Sequence, residues 1–332
     1  IDTRYFDEEF KWRLLEALTQ NYNLDDILDG VLIKSENFQA LNLLLNKYKE
    51  KIKTVYIDPP YNTGNDDFLY KDSYRHSSWL TMMENRLSLA RELLREDGIV
   101  FINIGEEEIY NLSHLIVSIF GEDNYLGNFI WRKRAGAGND SKYIAIEHDY
   151  IPIISKKITQ LSIGTLPRDL SRYKKDEYGY YLIKPLHEPT LRDSPGLRYD
   201  IVCPDGTILS GKEYQWKVSE KTFKELLKKG AIIFEKNNKG KWVVKYKHYI
   251  DVEKGFLPSS ILYNIAMNKD ATQEMKSFNF EIGLIKEIRP KPTELIKHLI
   301  QIACQYKDII LDFFAGSGTT AHAVMKLNKE DG

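Results

Sequence analysis

The sequence predicts an α/β protein in which a mostly parallel sheet carries helices on both faces and is interrupted by a basic insert. Three observations predict it. Apolar runs typical of buried strands alternate with amphipathic helices at both ends of the chain. Two of these runs end in turn-forming sequences, Asp58–Tyr61 and Asp312–Gly318. Residues 165–280 carry 21 Lys and Arg against 15 Asp and Glu, a balance that the rest of the chain does not share.

Before the insert, the pattern predicts three helices and two strands. Apolar side chains recur at spacings of three and four over residues 37–48, 78–96 and 112–120, which indicates amphipathic helices. In the second helix these side chains are Trp79, Met83, Leu87, Ala90 and Leu94. Thr54–Ile57 is predicted to be a strand that ends at two prolines, because proline cannot donate to the ladder of a central strand. Ile99–Ile104 is predicted to be a second buried strand.

The remaining elements lie within and after the insert. Glycine-bounded stretches at Ala231–Glu235 and Trp242–Tyr246 favour short strands, so we expect the insert to be a folded mixed α/β segment. Thr293–Ala303 is predicted to be a helix and Ile309–Phe313 a buried strand. That strand enters a glycine-rich turn and a final helix.

Composition limits the class of protein. The chain has 332 residues, a formal net charge of −1, 42% hydrophobic and 29% charged residues, which is ordinary for a globular protein. Cys203 and Cys304 are too few for a disulfide scaffold or an all-cysteine metal site, and we expect no metal and a reducing cytoplasm. No apolar run approaches the roughly 20 residues of a membrane span, and we expect no signal peptide. Because the chain begins at Ile1 rather than Met, we expect it to be part of a longer one.

The first turn, Asp58-Pro59-Pro60-Tyr61, combines an anionic acceptor, stiff prolines and an aromatic ring at the predicted carboxyl end of a strand, where open α/β sheets bind ligands. Asp58 and the Pro59 carbonyl suit the hydrogens of an exocyclic amine, and Tyr61 suits stacking on a planar ring, which is worth about 1–3 kcal/mol per base. The alternative is a proline-rich turn with a capping Asp.

The second turn, Asp312-Phe313-Phe314-Ala315-Gly316-Ser317-Gly318, places glycines between a strand and a helix, where a ligand can approach the backbone. It is too short for the dinucleotide fingerprint, and Thr319 stands where a phosphate-binding loop has Lys. A tight strand–helix turn without a ligand is the alternative.

Together the two turns resemble those of the amino-methyltransferases of DNA. Their order, with the catalytic motif first, is similar to the circularly permuted β class of adenine-N6 methyltransferases. Ser35–Asn42 and Tyr56–Gly64 look most like the modification (Mod) subunit of type III restriction-modification systems, and Trp79–Leu87 and Arg289–Pro292 fit the same family. The resemblance covers about residues 30–160 and 285–328 well, and the middle loosely.

The resemblance implies a Rossmann-like S-adenosylmethionine-dependent methyltransferase fold with an inserted target-recognition domain. It implies an N-terminal helical extension over 1–30, a first catalytic part over 31–164, a DNA-binding insert over 165–280 and a cofactor-binding part over 281–332. The implied catalytic residues are Asp58, Pro59, Pro60 and Tyr61. The implied cofactor-binding residues are Asp312, Phe314, Ala315, Gly316, Ser317, Gly318, Thr319, Lys291, Pro292, Glu36 and Asn37.

Two positions depart from the family pattern. Ser35 and Glu36 stand where the family often has Gly and Asp beside the cofactor adenine, and a helix cap is the alternative role for Asn37. The chain also ends at Gly332, before the strand whose acidic residue holds the cofactor ribose in the family.

The implied activity is transfer of a methyl group to the N6 amine of an adenine flipped out of duplex DNA. Candidate phosphate contacts are Arg132, Lys133, Arg134, Lys217, Lys221, Lys224 and Lys228, although an exposed turn and a solvated helix face explain them equally well. The resemblance also implies a homodimer, an ATP-dependent restriction subunit as partner, and action on nucleoid DNA in a bacterial cytoplasm. Cytosine-N4 methylation, methylation of a protein glutamine and a silent DNA-recognition subunit remain as alternatives.

Overall fold

The computed structural model describes residues 6–64, 71–136, 143–190 and 192–331. The chain forms two compact units. The first runs to Gly164 and resumes at Leu257, and the second is Thr165–Phe256. Residues 1–5 of the expected N-terminal extension lie outside the described residues.

The helices of the described chain are α1 (Glu8–Asn21), α2 (Leu24–Ile27), α3 (Asn37–Tyr48), α4 (His76–Leu93), α5 (Ile109–Phe120), α6 (Glu220–Lys228), α7 (Asn268–Ser277), α8 (Ile282–Ile288), α9 (Thr293–Ala303) and α10 (Thr319–Asp331). The strands are β1 (Ile52–Ile57), β2 (Leu94–Ile102), β3 (Tyr125–Arg132), β4 (His148–Ser155), β5 (Lys174–Asp176), β6 (Gly179–Pro185), β7 (Ile201–Val202), β8 (Ile208–Leu209), β9 (Ile232–Lys236), β10 (Trp242–Tyr249), β11 (Ile261–Leu262) and β12 (Ile309–Leu311). The described residues also include short 3-10 helices at Glu122–Asn124, Leu170–Arg172 and Pro195–Leu197.

The first unit is built on a six-stranded sheet of order β11-β3-β4-β2-β1-β12. β1 is parallel to both of its neighbours, β2 and β12, and β11 is parallel to β3, whereas β4 is antiparallel to β2 and β3. Every residue of β1 is buried, as expected for a central strand covered on both faces. The predicted α/β class with a mostly parallel sheet is therefore confirmed.

Helix α4 ends earlier than the sequence predicted. Its buried stripe contains Trp79, Met83, Leu87 and Ala90 as expected, but the helix ends at Leu93 and Leu94 already belongs to β2. The Asp97 carboxylate binds both Arg95 and Lys53, and Arg95 also binds Asp308 beside β12. These contacts hold residues 94–97 against β1 and β12, so the chain leaves the helix before the expected Asp97-Gly98 stop.

The other boundaries follow the sequence closely. Helices α3 and α9 span the predicted residues, and α5 starts three residues earlier than expected and ends before Gly121, whose φ of 90° breaks the helix. Strand β12 ends at Leu311, two residues short of the prediction, because the Asp312 carboxylate turns the chain by accepting a hydrogen bond from the Phe314 N–H.

The second unit contains a four-stranded antiparallel sheet of order β5-β6-β10-β9, the β7–β8 pair and α6. The two predicted stretches of the insert are its β9 and β10, paired antiparallel. Its separate core includes Leu186, Trp216, Phe223 and Val244.

The second unit ends at Phe256 and not at residue 280, where the sequence placed the end of the insert. Residues 257–280 are built into the first unit: β11 pairs with β3, the Trp131 indole donates to the Ala266 carbonyl, and Glu274 of α7 accepts from Thr293. Polar composition alone could not separate this segment from the insert. No helix of the described chain combines the length and the apolar character needed to cross a membrane.

Candidate active site

Two loops leave the same edge of the sheet. Asp58–Tyr61 directly follows β1, and Asp312–Gly318 directly follows β12. Because Val55 pairs with Leu311 in parallel register, both loops emerge side by side. Asp58, Asp312, Gly316 and Lys291 line one cleft, so the structure brings together both predicted motifs and the lysine that precedes α9.

Asp58 forms an ion pair with Lys291. The Lys291 Nζ lies 2.7 Å from Oδ1 and 2.6 Å from Oδ2 of Asp58, and the two side chains are 13% and 25% exposed. Burial raises the pKa of Asp58, and the nearby ammonium of Lys291 acts against that increase. The ammonium therefore favours the ionised carboxylate in this partly desolvated position.

Tyr61 is held by its hydroxyl group. The hydroxyl donates to Oδ2 of buried Asp149 at 2.9 Å and accepts a hydrogen bond from the Asn103 amide. The other Asp149 oxygen accepts from Lys133 at 2.6 Å. The Lys291 Nζ lies 4.9 Å from the centre of the Tyr61 ring, within the range of a cation–π contact. The ring is thus fixed at its distal end, with its aromatic surface beside Asp58.

Pro59 and Pro60 are buried, and hydrogen bonds to neighbouring residues hold their loop in place. The Trp79 indole donates to the Pro60 carbonyl at 2.8 Å from the core face of α4. The Asp72 carboxylate accepts from the backbone N–H groups of Asn62 and Thr63, which orders the chain after Tyr61. No donor among the described residues bonds to the Pro59 carbonyl, which leaves that oxygen as an acceptor.

The glycine loop is organised by Asp312. Its Oδ1 accepts from the Phe314 N–H at 2.9 Å and its Oδ2 from the Thr320 hydroxyl at 2.6 Å. Burial raises the pKa of Asp312 to about 6. Gly316 and Gly318 have φ of 49° and 77°, a conformation that side chains disfavour. The loop can therefore present its backbone at the start of α10.

Glu36 and Asn37 connect α3 to this glycine loop. The Asn37 amide donates to the Phe313 carbonyl at 3.0 Å, and its oxygen accepts from Arg86 at 2.7 Å. Glu36 accepts from the same Arg86 and caps α3 by accepting from the Gln39 N–H. The helix cap is thus Glu36 and not Asn37.

Lys291 and Pro292 lie between α8 and α9. Arg289 ends α8 with a left-handed φ of 42°, and Pro292 is the residue that precedes the first turn of α9. A second cavity of about 260 Å³ adjoins the cleft and shares Lys291, Ser317 and Thr319 with it. Lys291 therefore lines both spaces.

The candidate DNA contacts near β3 have partners within the chain. Arg132 pairs with Glu147 at 3.0 Å and Lys133 with Asp149 at 2.6 Å. The Arg134 Nε donates to the Ile146 carbonyl at 3.0 Å. Lys133 consequently supports Asp149, the acceptor of the Tyr61 hydroxyl, and is not part of an isolated exposed turn.

The four insert lysines that were candidate phosphate contacts differ in their surroundings. Lys217 precedes α6, which begins at Glu220, and pairs with Glu188, so the expected helical spacing does not include it. Lys224 pairs with Glu220 in the next turn of the helix. Lys221 and Lys228 are exposed on α6.

Sequence reasoning missed several residues of the site. Tyr56 lines the cleft two residues before Asp58, and Asp149, Asn103 and Arg86 support the two loops. The one available signal for Asn103 was that it is a polar residue within the predicted apolar strand Ile99–Ile104; Asp149 carries no local signal, since it lies within β4. Among the described residues, no group of three or more His, Cys, Asp or Glu is arranged to hold a metal ion.

The sequence profile of the DNA methylases matches residues 52–330, from the first residue of β1 into α10. This chain belongs to the DNA methylase family. The family's methyl donor is S-adenosylmethionine. Both motifs of the cleft and the whole insert lie within the matched segment.

Individual relatives agree with the family. The Mod subunit of the type III restriction-modification enzyme StyLTI from Salmonella typhimurium is 32% identical over 95% of this chain and 52% of its own length. The Mod subunit of the type III restriction-modification enzyme EcoP15I from Escherichia coli is 32% identical over 91% of this chain and 56% of its own length. The chain thus spans about half the length of these relatives. The solved structure of the M1.HpyAVI–SAM complex is similar with a TM-score of 0.40 and 13% identity, over 89% of this chain and 88% of that one.

The residues of the cleft fit the family's cofactor. The carboxylates of Asp58 and Asp312 offer negative charge to a sulfonium, and the left-handed glycines allow close approach to the backbone. The Tyr56 hydroxyl is buried in the cleft without a hydrogen-bond partner among the described residues. A buried donor without a partner is uncommon in native structures, and a polar ligand in the cleft accounts for it.

Proposed function

We propose that this chain is the catalytic part of a site-specific DNA methyltransferase that methylates the N6 amine of adenine in duplex DNA. The observation that carries the proposal is the adjacency of two loops at one sheet edge: Asp58–Tyr61 after β1 and Asp312–Gly318 after β12. One loop suits an amine on a planar ring and the other suits the methyl donor. The match of the DNA methylase family to residues 52–330 supports the same assignment.

The cofactor side of the cleft consists of the glycine loop and Lys291. The backbone of Gly316–Gly318 and the side chains of Lys291, Ser317 and Thr319 would hold S-adenosylmethionine, with Asp312 ordering the loop. When bound, the cofactor supplies an electrophilic methyl group on a sulfonium. Asn37 keeps the Phe313 carbonyl in place and acts through the loop.

The target side of the cleft consists of Asp58, the Pro59 carbonyl and Tyr61. An adenine amine is a weak nucleophile because its lone pair is delocalised into the ring. Asp58 and the Pro59 carbonyl would accept the two amine hydrogens and favour a pyramidal nitrogen, while Tyr61 stacks on the base. Lys291 donates to both oxygens of Asp58, so an amine that binds there must share this carboxylate with the ammonium or displace it.

Adenine is favoured over cytosine by the residue that begins the motif. Asp58 stands where the cytosine-N4 enzymes often carry Ser. Cytosine-N4 methylation is the second candidate, because its target is also an exocyclic amine beside a ring. The product nucleoside distinguishes the two.

The second unit is the proposed DNA-recognition domain. It is a folded unit with its own core and several exposed lysines, of which Lys221 and Lys228 are the best candidates for phosphate contacts. Its polar side chains would form the hydrogen bonds to base edges that read the DNA sequence. A base can reach Asp58 only after it is flipped out of the duplex.

The proposal extends to the assembly. Relatives named Mod subunits of type III restriction-modification enzymes support a modification subunit that joins an ATP-dependent restriction subunit and acts on bacterial DNA in the cytoplasm. A homodimer of this subunit is part of the same proposal. Light scattering of the full-length protein tests it, because a monomer mass would contradict the dimer.

The decisive experiment measures methyl transfer from labelled S-adenosylmethionine into duplex DNA of mixed sequence, followed by nucleoside analysis by mass spectrometry. The full-length protein is compared with Asp58→Asn and with Asp123→Asn, which alters an exposed carboxylate in a 3-10 helix. We expect N6-methyladenine from the wild type and from Asp123→Asn, and none from Asp58→Asn. N4-methylcytosine would overturn the base assignment. Cofactor binding without any methylated base would instead support a silent recognition subunit.

A further inference from the structure

Tyr56 lies in the cleft between the two motif loops. It is the fifth residue of β1, one residue before the strand ends and two before Asp58. Its side chain is only 2% exposed, yet it lines the cleft together with Asp58, Asp312 and Gly316. Its phenolic hydroxyl is therefore buried beside the proposed reaction centre.

The hydroxyl has no hydrogen-bond partner among the described residues. The neighbouring acceptors are already engaged. Both Asp58 oxygens accept from Lys291, and the two Asp312 oxygens accept from the Phe314 N–H and from Thr320. Burial and the charges of Asp58, Asp312 and Asp149 raise the pKa of Tyr56 well above its usual value, so the group stays a neutral O–H donor.

The charges around the hydroxyl restrict what it can bind. An anionic ligand group in this cleft is repelled by Asp58 and Asp312 unless donors hold it. Lys291 has three N–H donors and uses two on Asp58. Tyr56, which lines the same cleft, adds a donor that has no partner among the described residues. S-adenosylmethionine carries one anionic group, the carboxylate of its amino-acid part.

We propose that Tyr56 is a cofactor-binding residue whose hydroxyl donates a hydrogen bond to the carboxylate of S-adenosylmethionine. This inference rests on the proposed function, since it requires that the cleft binds this cofactor. It adds a strand residue to a cofactor site otherwise made of the glycine loop and Lys291. The bond satisfies a buried donor at the moment when the cofactor enters.

The test compares two ligands that differ by one carboxylate. Titration calorimetry of the full-length protein measures the affinity for S-adenosylmethionine and for decarboxylated S-adenosylmethionine, in wild type and Tyr56→Phe. We expect Tyr56→Phe to bind S-adenosylmethionine about 10- to 100-fold more weakly, as is typical for loss of a hydrogen bond to a charged group. Both proteins should bind the decarboxylated ligand equally. Tyr125→Phe, which removes a hydroxyl bonded to Asn128 on β3, should change neither affinity.

Thermal unfolding without ligand separates a binding role from a structural one. Because the buried hydroxyl lacks a partner, its removal should leave the Tm of the ligand-free protein unchanged or raise it. Equal affinity of wild type and Tyr56→Phe for S-adenosylmethionine would overturn the inference, and so would an equal loss for both ligands or a lower ligand-free Tm. If the wild type binds neither ligand, the proposed function fails as well.

Discussion

The ammonium of Lys291 lies 2.6 and 2.7 Å from the two carboxylate oxygens of Asp58, although 233 residues separate them. The same ammonium lies 4.9 Å from the centre of the Tyr61 ring. One cation therefore contacts both side chains that are proposed to bind the target base. It favours the ionised form of a partly buried carboxylate, and an amine that binds Asp58 must share the carboxylate with it or displace it.

Replacing Lys291 should change the pH dependence of methylation. Burial raises the pKa of Asp58 and Lys291 opposes this increase, so Lys291→Met should raise the pKa further. Because the ionised carboxylate is a stronger acceptor for an amine hydrogen than the neutral acid, activity should grow as pH rises through this pKa. The acid limb of the kcat profile should therefore move to higher pH in the variant. Lys297→Met on the following helix α9, whose partner is Glu330, is the control and should leave the limb in place. An unshifted limb in Lys291→Met would contradict the role assigned to this ion pair.

Cofactor affinity should depend on the ionisation of Asp312. Burial raises its pKa to about 6, and the sulfonium of the cofactor is a cation that favours the ionised carboxylate. Affinity should therefore rise between about pH 5 and pH 7, by at most about tenfold per pH unit. Titration calorimetry across this range measures the rise. Asp312→Asn should flatten it, whereas a slope that persists in the variant would assign the titration to another group.

The contribution of Asp312 to the stability of the ligand-free protein should have the opposite pH dependence. The pKa of Asp312 is higher in the folded state than the ordinary value of 3.8, so the folded state binds the proton more tightly than the unfolded state. The contribution of Asp312 to the free energy of unfolding should fall as pH rises from about 4 to 6. Urea denaturation of wild type and Asp312→Asn at pH 4.5 and 7 checks this: the variant should lack that part of the decrease.

Removing the indole donor of Trp79 should loosen the catalytic loop. Trp79→Phe leaves the buried Pro60 carbonyl without its donor, which should lower the free energy of unfolding by about 1–3 kcal/mol, and the lost ring volume adds to this. Denaturant unfolding measures the change. Trp12→Phe, in a side chain that is 66% exposed, should change it by less than about 0.5 kcal/mol. Similar effects of both substitutions would argue against the indole anchor.

The insert lysines offer a matched pair of double variants. Lys221→Ala with Lys228→Ala removes two exposed cations of α6, whereas Lys217→Ala with Lys224→Ala removes two that pair with Glu188 and Glu220. Both variants lose the same formal charge. DNA binding measured against salt should have a slope smaller by about 1–2 in the first variant, since each phosphate contact contributes about 0.9. The second variant should keep the wild-type slope; equal losses would mean that net charge, and not local contact, governs binding.

Local sequence was sufficient to predict the main helices and strands and the two motif loops. Thr293–Ala303 was predicted to the residue because its apolar spacing matches the helical period, and the prolines after Ile57 had to end a central strand. The end of α4 was missed because the Arg95–Asp97–Asp308 contacts involve a segment more than 200 residues away. The end of the insert was missed because β11 is stabilised by pairing with β3, and the composition of a segment does not show which strand it pairs with.

The sequence by itself determined the chemistry that the chain can offer: an acid, two prolines and a ring after one strand, and left-handed glycines after another. These follow from rules that act over a few residues, namely the fixed φ of proline, the freedom of glycine and the periodicity of apolar side chains. Only the tertiary structure decided which groups meet. Asn37 bonds the Phe313 carbonyl across 276 residues, and Lys291 binds Asp58 across 233. Such contacts depend on strand order and on competition among many partners of similar energy, so residue type and spacing alone do not select them.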